Sequence, residues 1–255
     1  MAIYDKPVRL LMWDMVKDLG LAKGQILSKE QVVSWFTKNY PKIKQGTISA
    51  HLIRLSTNAP TRIHYKAKQA DDLFFQIDGS HFRLFDAQGD RAPIYETSEG
   101  RATTEIMPEE EKEPISEFAY ESDLRNFLAK NLSIIEQGLR LYEEEGITGV
   151  EFPAGGRFID ILALDSQNNY VVIELKVSKG YDRVVGQLLR YIGWVENNHA
   201  DPSQKIRGII IAREISNDLL LACYSLQNIE VYEYNLSVSL QRITKQRQHL
   251  TSAST

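Results

Sequence analysis

Cysteine is almost absent: Cys223 stands alone among 255 residues. A single thiol excludes an internal disulfide and any zinc site built on cysteines. Its setting in LLLACYSL reads as that of a small core residue. Long apolar runs are missing too, and no stretch approaches the ~20 residues that cross a bilayer. The opening MAIYDKPVRLLMWDMV carries acids in its apolar part and no small-residue cleavage site, which reads against a signal peptide. The 5 histidines lack zinc-site spacing. No P-loop, dinucleotide glycine fingerprint or G-x-S-x-G elbow occurs. A cytoplasmic protein with no membrane partner is the expectation. Apolar content of 43%, charged content of 25% and a net charge of −4 suit a soluble globular chain of one large or two modest domains.

What is present begins with three helical stretches in residues 1–95. Pro7 opens an apolar period over Val8, Leu11, Met12, Met15, Val16 and Leu19 that Gly20 ends. Ser28, with Gln31 at the capping-box position, opens SKEQVVSWFTKNY, stopped by Pro41. A third helix is expected from about Thr47, with Ile48, Leu52, Ile53 and Leu55 apolar. Asp78-Gly79 then joins the strand-like runs Asp72–Ile77 and His81–Phe85 into a hairpin. Three helices and a hairpin match a winged helix-turn-helix in outline, whose third helix enters the major groove. Charge agrees. Lys42, Lys44, Arg54, Arg62, Lys66 and Lys68 fall in a stretch with no acid, a pattern suited to phosphates. Thr47, Ser49, His51 and Arg54 are candidates for base edges, and Arg83 of the hairpin for the backbone. A helical protein-interaction domain with a solvated basic face is the competing interpretation.

Residues 96–116 are acidic and interrupted by Pro108 and Pro114, which is linker composition. Beyond them a helix to about Lys130, capped by Ser116 or Ser122, carries Phe118, Leu124, Phe127 and Leu128, with Glu121 in its first turn. A strand is expected over Leu139–Glu145, then two more over Phe158–Leu164 and Tyr170–Val177. Next come a helix over Asp182–Asn198, a buried strand Arg207–Ala212, a helix capped by Ser216 and a last strand Ile229–Tyr234. Residues 117–243 form the second domain, and 244–255 a polar tail. Trp13, Trp35 and Trp194 are expected in the core.

Two of these strands carry acid where a buried strand should have none. Asp160 interrupts FIDILAL, and Glu174 interrupts VVIELK. Glu174 and Lys176 alternate onto one face. In a hairpin, Asp160 faces Glu174 across the ladder, so two carboxylates and an ammonium converge. A lone E-x-K is often a solvated ion pair; an acid inside FIDILAL is costly unless paired or bound to a cation.

Asp160…Glu174-x-Lys176, D-x13-E-x-K, resembles the signature of the PD-(D/E)xK nuclease superfamily. Gln187 and Tyr191, four apart on one helical face, are similar to the Q-x3-Y motif of part of that superfamily. ESDLRNFLAKNLSIIEQGLRLYEEE, GRFIDILALD, VVIELKVSKG and QLLRYIGWV in order resemble the catalytic domain of NucS/EndoMS endonucleases over about residues 117–235. Ile159 stands where the signature's proline precedes the acid. The resemblance implies a restriction-endonuclease-like α/β fold, a mixed sheet flanked by helices. It also implies a Mg²⁺ or Mn²⁺ site on Asp160, Glu174 and the Leu175 carbonyl. Lys176 would be a general base or charge stabiliser beside the ion, Gln187 and Tyr191 supporting groups, and Glu121 a further helical acid of the site. First-turn dipole complementarity is the alternative role for Glu121.

These readings lead to a Mg²⁺-dependent endodeoxyribonuclease acting on double-stranded DNA, with a smaller winged-helix-like α+β domain as DNA reader. Because residues 1–95 do not resemble the β-rich N-terminal domain of NucS enzymes, a restriction or phage-defence role is the first expectation, with a homodimer for double-strand cleavage. Repair of mismatched or branched DNA, a catalytically silent DNA-binding regulator and an RNA-processing nuclease are the alternatives.

Overall fold

The structure, a computed structural model, describes residues 4–95, 115–180 and 182–237, without the side chains of 115–120 and 178–180. Most of the expected linker and the whole of the expected tail lie outside the described residues.

The N-terminal part runs α1 (Val8–Asp18), β1 (Leu27–Ser28), α2 (Lys29–Asn39), α3 (Gln45–Leu55), a 3-10 turn at Pro60–Tyr65, β2 (Phe74–Gln76) and β3 (His81–Leu84). α2 starts where its sequence says it should. Ser28 Oγ accepts from the Gln31 N–H at 3.2 Å, and Gln31 Oε1 accepts from the Ser28 N–H at 2.8 Å. The hairpin β2–β3 pairs antiparallel and takes on β1 as a third strand, in the order β1-β3-β2. Leu11, Met12, Met15, Val32, Phe36, Ile48, Leu52, Leu55, Phe74 and Phe82 form its core. Trp13 is not among them; it is exposed on the outer face of α1.

The C-terminal part runs α4 (Ile115–Lys130), β4 (Arg140–Leu141), β5 (Glu143–Glu144), β6 (Ile147–Thr148), β7 (Val150–Ala154), β8 (Arg157–Leu164), β9 (Tyr170–Gly180), α5 (Arg183–Asn198), β10 (Ile206–Ile215), α6 (Asn217–Cys223) and β11 (Ile229–Glu233). The main sheet is mixed, in the order β11-β10-β9-β8-β4 with β7 also on β8. β10 is parallel to both β9 and β11, and the other pairs are antiparallel. Alternation sorts the two faces. Ile161, Ala163, Val171, Ile173 and Leu175 pack with Leu124 and Leu128 of α4. Leu162, Leu164, Tyr170 and Val172 pack with Val184, Leu188, Ile192 and Val195 of α5. A mixed sheet flanked by helices is therefore what forms. Three details differ from expectation. α4 is already formed at Ile115, inside the range read as linker, and Phe127 is exposed. The strand expected over Leu139–Glu145 breaks into β4 and β5. The hairpin β5–β6 then turns at Glu145-Gly146, both at positive φ (49° and 80°), as a two-residue hairpin requires.

α3 joins the two parts. Its Ile48, Leu52 and Leu55 belong to the N-terminal core, while Ala50 and Ile53 belong to the core beneath β7, β8 and α5. Every residue from Gly46 to Leu55 is buried. A helix enclosed on all sides cannot enter a DNA groove, so the expected recognition helix is a structural joint. Among the described residues, no helix is long and apolar enough to cross a membrane.

Candidate active site

The β8–β9 ladder closes at Ile161↔Ile173 and goes no further toward the acids. One step beyond, Asp160 and Glu174 no longer pair with each other, although Glu174 stays paired to Ile210 of β10, and the Leu175 N–H donates to Asp160 Oδ2 at 2.9 Å. Glu174 is 1% exposed. Its Oε1 accepts from Lys176 Nζ at 2.9 Å and from Gln187 Nε2 at 2.6 Å. Its Oε2 is buried with no hydrogen-bond partner. Gln187 Nε2 also lies 3.4 Å from the Tyr191 hydroxyl, so the i, i+4 pair on α5 acts as one unit. Asp160, Glu174, Lys176, Gln187 and Tyr191 are thus brought to one spot by two strands and one helix.

The electrostatics are those of a carboxylate pair short of positive charge. Burial, then the neighbouring Asp160, pushes Glu174 above the usual carboxylate range. Burial raises Asp160 as well, against the pull of Lys176 and Arg125. Burial pulls Lys176 down, but Glu174, Asp160 and Glu121 outweigh it and hold the ammonium above its ordinary value. Glu121 of α4 is half-buried, and its charge acts on both Glu174 and Lys176, so its place is beside the site. Among the described residues, no three His, Cys, Asp or Glu side chains cluster as a complete metal cage. Two carboxylates with one orphaned buried oxygen fit a hard divalent cation that keeps most of its waters.

Three residues of this neighbourhood were missed. Arg125, one turn from Glu121 on α4, has Nη1 3.6 Å from Asp160 Oδ1 and Nη2 2.6 Å from Glu151 Oε1. Glu151 Oε2 lies 3.1 Å from His64 Nε2 of the N-terminal part. Burial pushes the Glu151 carboxyl up, but His64 and Arg125 outweigh it and hold it below the usual range. Glu151 also has φ of 47° within β7, a left-handed conformation that costs a non-glycine residue on the order of 1–3 kcal/mol. Its signal was available: an acid inside the apolar run VEFPA, the same anomaly that exposed Asp160. His64 had no comparable signal.

The residues expected to touch DNA are dispersed. Thr47 Oγ1 donates to Glu144 Oε2 at 3.0 Å, and Ser49 Oγ to the Gln45 carbonyl at 2.9 Å. His51 is fully buried 3.5 Å from Glu145 Oε2, and burial pushes its pKa down. Arg54 Nη1 donates to the Glu145 carbonyl at 2.7 Å, and its Nη2 lies 3.2 Å from Asp71. Arg62, fully buried, donates to the Arg54 and Ile94 carbonyls and to Asp72. All five face protein, so none reaches a base or phosphate in this arrangement. Lys44 pairs with Asp201 of the C-terminal part at 2.7 Å. Arg83 pairs with Asp90 and stacks on Phe75. Lys42, Lys66 and Lys68 are exposed. Half of the acid-free stretch's cations pair with acids elsewhere in the fold: Arg54 with Asp71, Arg62 with Asp72 and Lys44 with Asp201.

Residues 120–247, half of the chain, match the family described as the endonuclease NucS C-terminal domain, and residues 7–84 match a domain of unknown function, DUF7669. The chain is 29% identical over 107 residues to an endonuclease NucS of Methanocaldococcus jannaschii, covering 42% of this chain and 38% of that protein. It is 31% identical over 112 residues to that of Methanopyrus kandleri, covering 43% and 40%. The chain thus spans well under half the length of these relatives. Among solved structures, a repair endonuclease from Pyrococcus abyssi aligns with a TM-score of 0.37 at 23% identity, over 50% of this chain and 49% of that one.

Proposed function

The chain belongs to the endonuclease NucS C-terminal domain family, and we propose from this that it is a divalent-metal-dependent endonuclease hydrolysing phosphodiester bonds of DNA. The observation that carries this is the orphaned Glu174 Oε2, buried beside Asp160 and Lys176. Asp160, Glu174 and the Leu175 carbonyl would hold Mg²⁺ or Mn²⁺. A bound ion supplies polarisation of the scissile phosphoryl group and acidification of a water.

The chain's own groups do the rest. The Leu175 N–H fixes the Asp160 carboxylate, and Gln187 fixes that of Glu174, so both enter the reaction already oriented. Lys176, 2.9 Å from Glu174 Oε1, would present its side-chain nitrogen to the charge that builds on the phosphoryl oxygens, or serve as a base once a bound ion lowers its pKa. Tyr191 backs Gln187. Exposed Lys66 and Lys68, on the same segment as His64, are candidates to hold the DNA backbone near the site.

The structure bears on which DNA is cut. A restriction or phage-defence role is expected where residues 1–95 do not resemble the N-terminal domain of NucS enzymes, but the third helix that would read bases for it is enclosed. Recognition of DNA shape, as in repair of mismatched or branched duplexes, is the reading that an enclosed α3 favours. One carboxylate patch cuts one strand, so a double-strand break takes two copies; the reading includes a homodimer acting on cytoplasmic DNA.

The deciding experiment incubates the chain with paired, mismatched and branched duplexes in Mn²⁺ or Mg²⁺. Divalent-dependent cleavage that Asp160→Ala and Glu174→Ala each abolish, with DNA binding kept, is expected. Cleavage that survives Asp160→Ala would sink the assignment. Preference for one paired sequence would restore the restriction reading.

A further inference from the structure

Through His64 the N-terminal part reaches the charged residues beside the candidate active site. His64 lies in the 3-10 turn Pro60–Tyr65. From its Nε2, contacts run 3.1 Å to Glu151, 2.6 Å from Glu151 to Arg125, and 3.6 Å from Arg125 to Asp160 Oδ1. The turn is fastened at His64 and Tyr65: Tyr65 Oη donates to the Glu151 carbonyl at 3.2 Å, and Thr148 Oγ1 donates to the His64 carbonyl at 3.1 Å. Glu151 keeps its left-handed φ of 47° between these contacts. Such a conformation persists only where the surroundings impose it, and here they come from the other part of the chain.

Arg125 is enclosed, and two carboxylates compete for its guanidinium. Glu151 holds it closely, and Asp160 only at 3.6 Å. A guanidinium released by Glu151 would close on Asp160 and occupy the oxygen that a cation needs.

We propose that His64 is a positioning residue for Asp160: by fixing Glu151 it keeps Arg125 off the carboxylate, so the N-terminal part completes the active site of the C-terminal part. This rests on the nuclease reading above. It also gives residues 60–65 a task that base reading would not require.

The test uses the full chain as wild type, His64→Ala, His64→Gln and Glu151→Gln. Mn²⁺ binding is measured by calorimetry without DNA, melting temperature is recorded, and single-turnover cleavage is followed at saturating DNA and sub-saturating Mn²⁺. His64→Ala should weaken Mn²⁺ binding and slow cleavage by about 10–100-fold with DNA affinity kept, the scale for groups that orient metal ligands. His64→Gln should recover most of the loss, because its amide can still donate to Glu151. Should His64→Ala melt too low to assay, Glu151→Gln must show the same loss, since it leaves the backbone anchors of the turn in place. Mn²⁺ affinity within about twofold of wild type in a well-folded His64→Ala would overturn the proposal. A wild type that binds Mn²⁺ without cutting DNA would overturn the nuclease reading alone, and calorimetry would still decide the role of His64. A wild type that binds no Mn²⁺ would overturn both.

Discussion

Gln187 Nε2 stands 2.6 Å from Glu174 Oε1, so α5 grips one oxygen of the buried carboxylate while the other, Oε2, has no partner. The division of labour between the two oxygens follows from where α5 lands on β9, and it makes Gln187 more than a solubilising residue on a helix face.

Removing that grip should slow the reaction without removing it. Gln187→Ala is expected to lower the single-turnover cleavage rate about 10–100-fold, because Glu174 keeps Lys176 but loses its fixed orientation. Gln187→Glu should be worse, since it adds a further carboxylate to Glu174, Asp160 and Glu121. A Gln187→Ala rate equal to wild type would mean that Lys176 alone orients Glu174.

The joint between the two parts is tight enough to reverse a familiar helix rule. A Cβ at Gly46 would lie 2.4 Å from His199 Nδ1 and 3.2 Å from the Trp194 ring. Glycine to alanine inside a helix ordinarily stabilises. Here Gly46→Ala should destabilise by about 1–3 kcal/mol through overpacking, read as a lower urea midpoint. A raised midpoint would show that α3 rides loosely on α5.

His199 makes the protein acid-sensitive. Both ring nitrogens are buried without partners, among Tyr142, Phe152 and Tyr170. Burial, helped by Lys44 and opposed by Asp201, pushes its pKa down to about 4. The folded value lies below the unfolded value of about 6.5, so the stabilisation is full above pH 6.5 and is lost as pH falls toward 4. The loss amounts to about 3 kcal/mol over that window. His199→Phe should remove its share of the destabilisation between pH 6.5 and 5; His51, which burial also depresses, adds to that share and Glu174, which burial raises, opposes it. An unchanged profile in urea titrations would place the acid sensitivity elsewhere.

Much of the catalytic half could be read directly from the chain. Period-two apolar runs set β8 and β9, period-3.6 runs set α5, and acids lodged in such runs singled out Asp160 and Glu174. Glu151 carried the same mark and could have been read the same way. Local pattern suffices there because strand alternation and helical spacing are short-range geometry, and a misplaced charge shows against them.

The N-terminal half shows where pattern stops. The capping box of α2 and the hairpin turn at Asp78-Gly79 are local chemistry and could be read from the residues. The surroundings of α3 could not. Thr47, Ser49, His51 and Arg54 are polar residues on a helix, and polarity alone does not say whether it is met by DNA or by Glu144, Glu145 and Asp71. Those acids lie far along the chain from α3, or across a turn, and only the folded path brings them near.

The sequence by itself therefore determined the chemistry available to this protein: two carboxylates and a lysine delivered by a hairpin, with glutamine and tyrosine on a following helix. Tertiary structure alone decided what the N-terminal part does with its basic residues. It buried Arg54 and Arg62 against acids, left Lys42, Lys66 and Lys68 exposed, and sent His64 to the edge of the candidate active site. The physical reason is that burial and ion pairing are properties of the assembled surface, set by contacts many residues apart, whereas periodicity is a property of the chain.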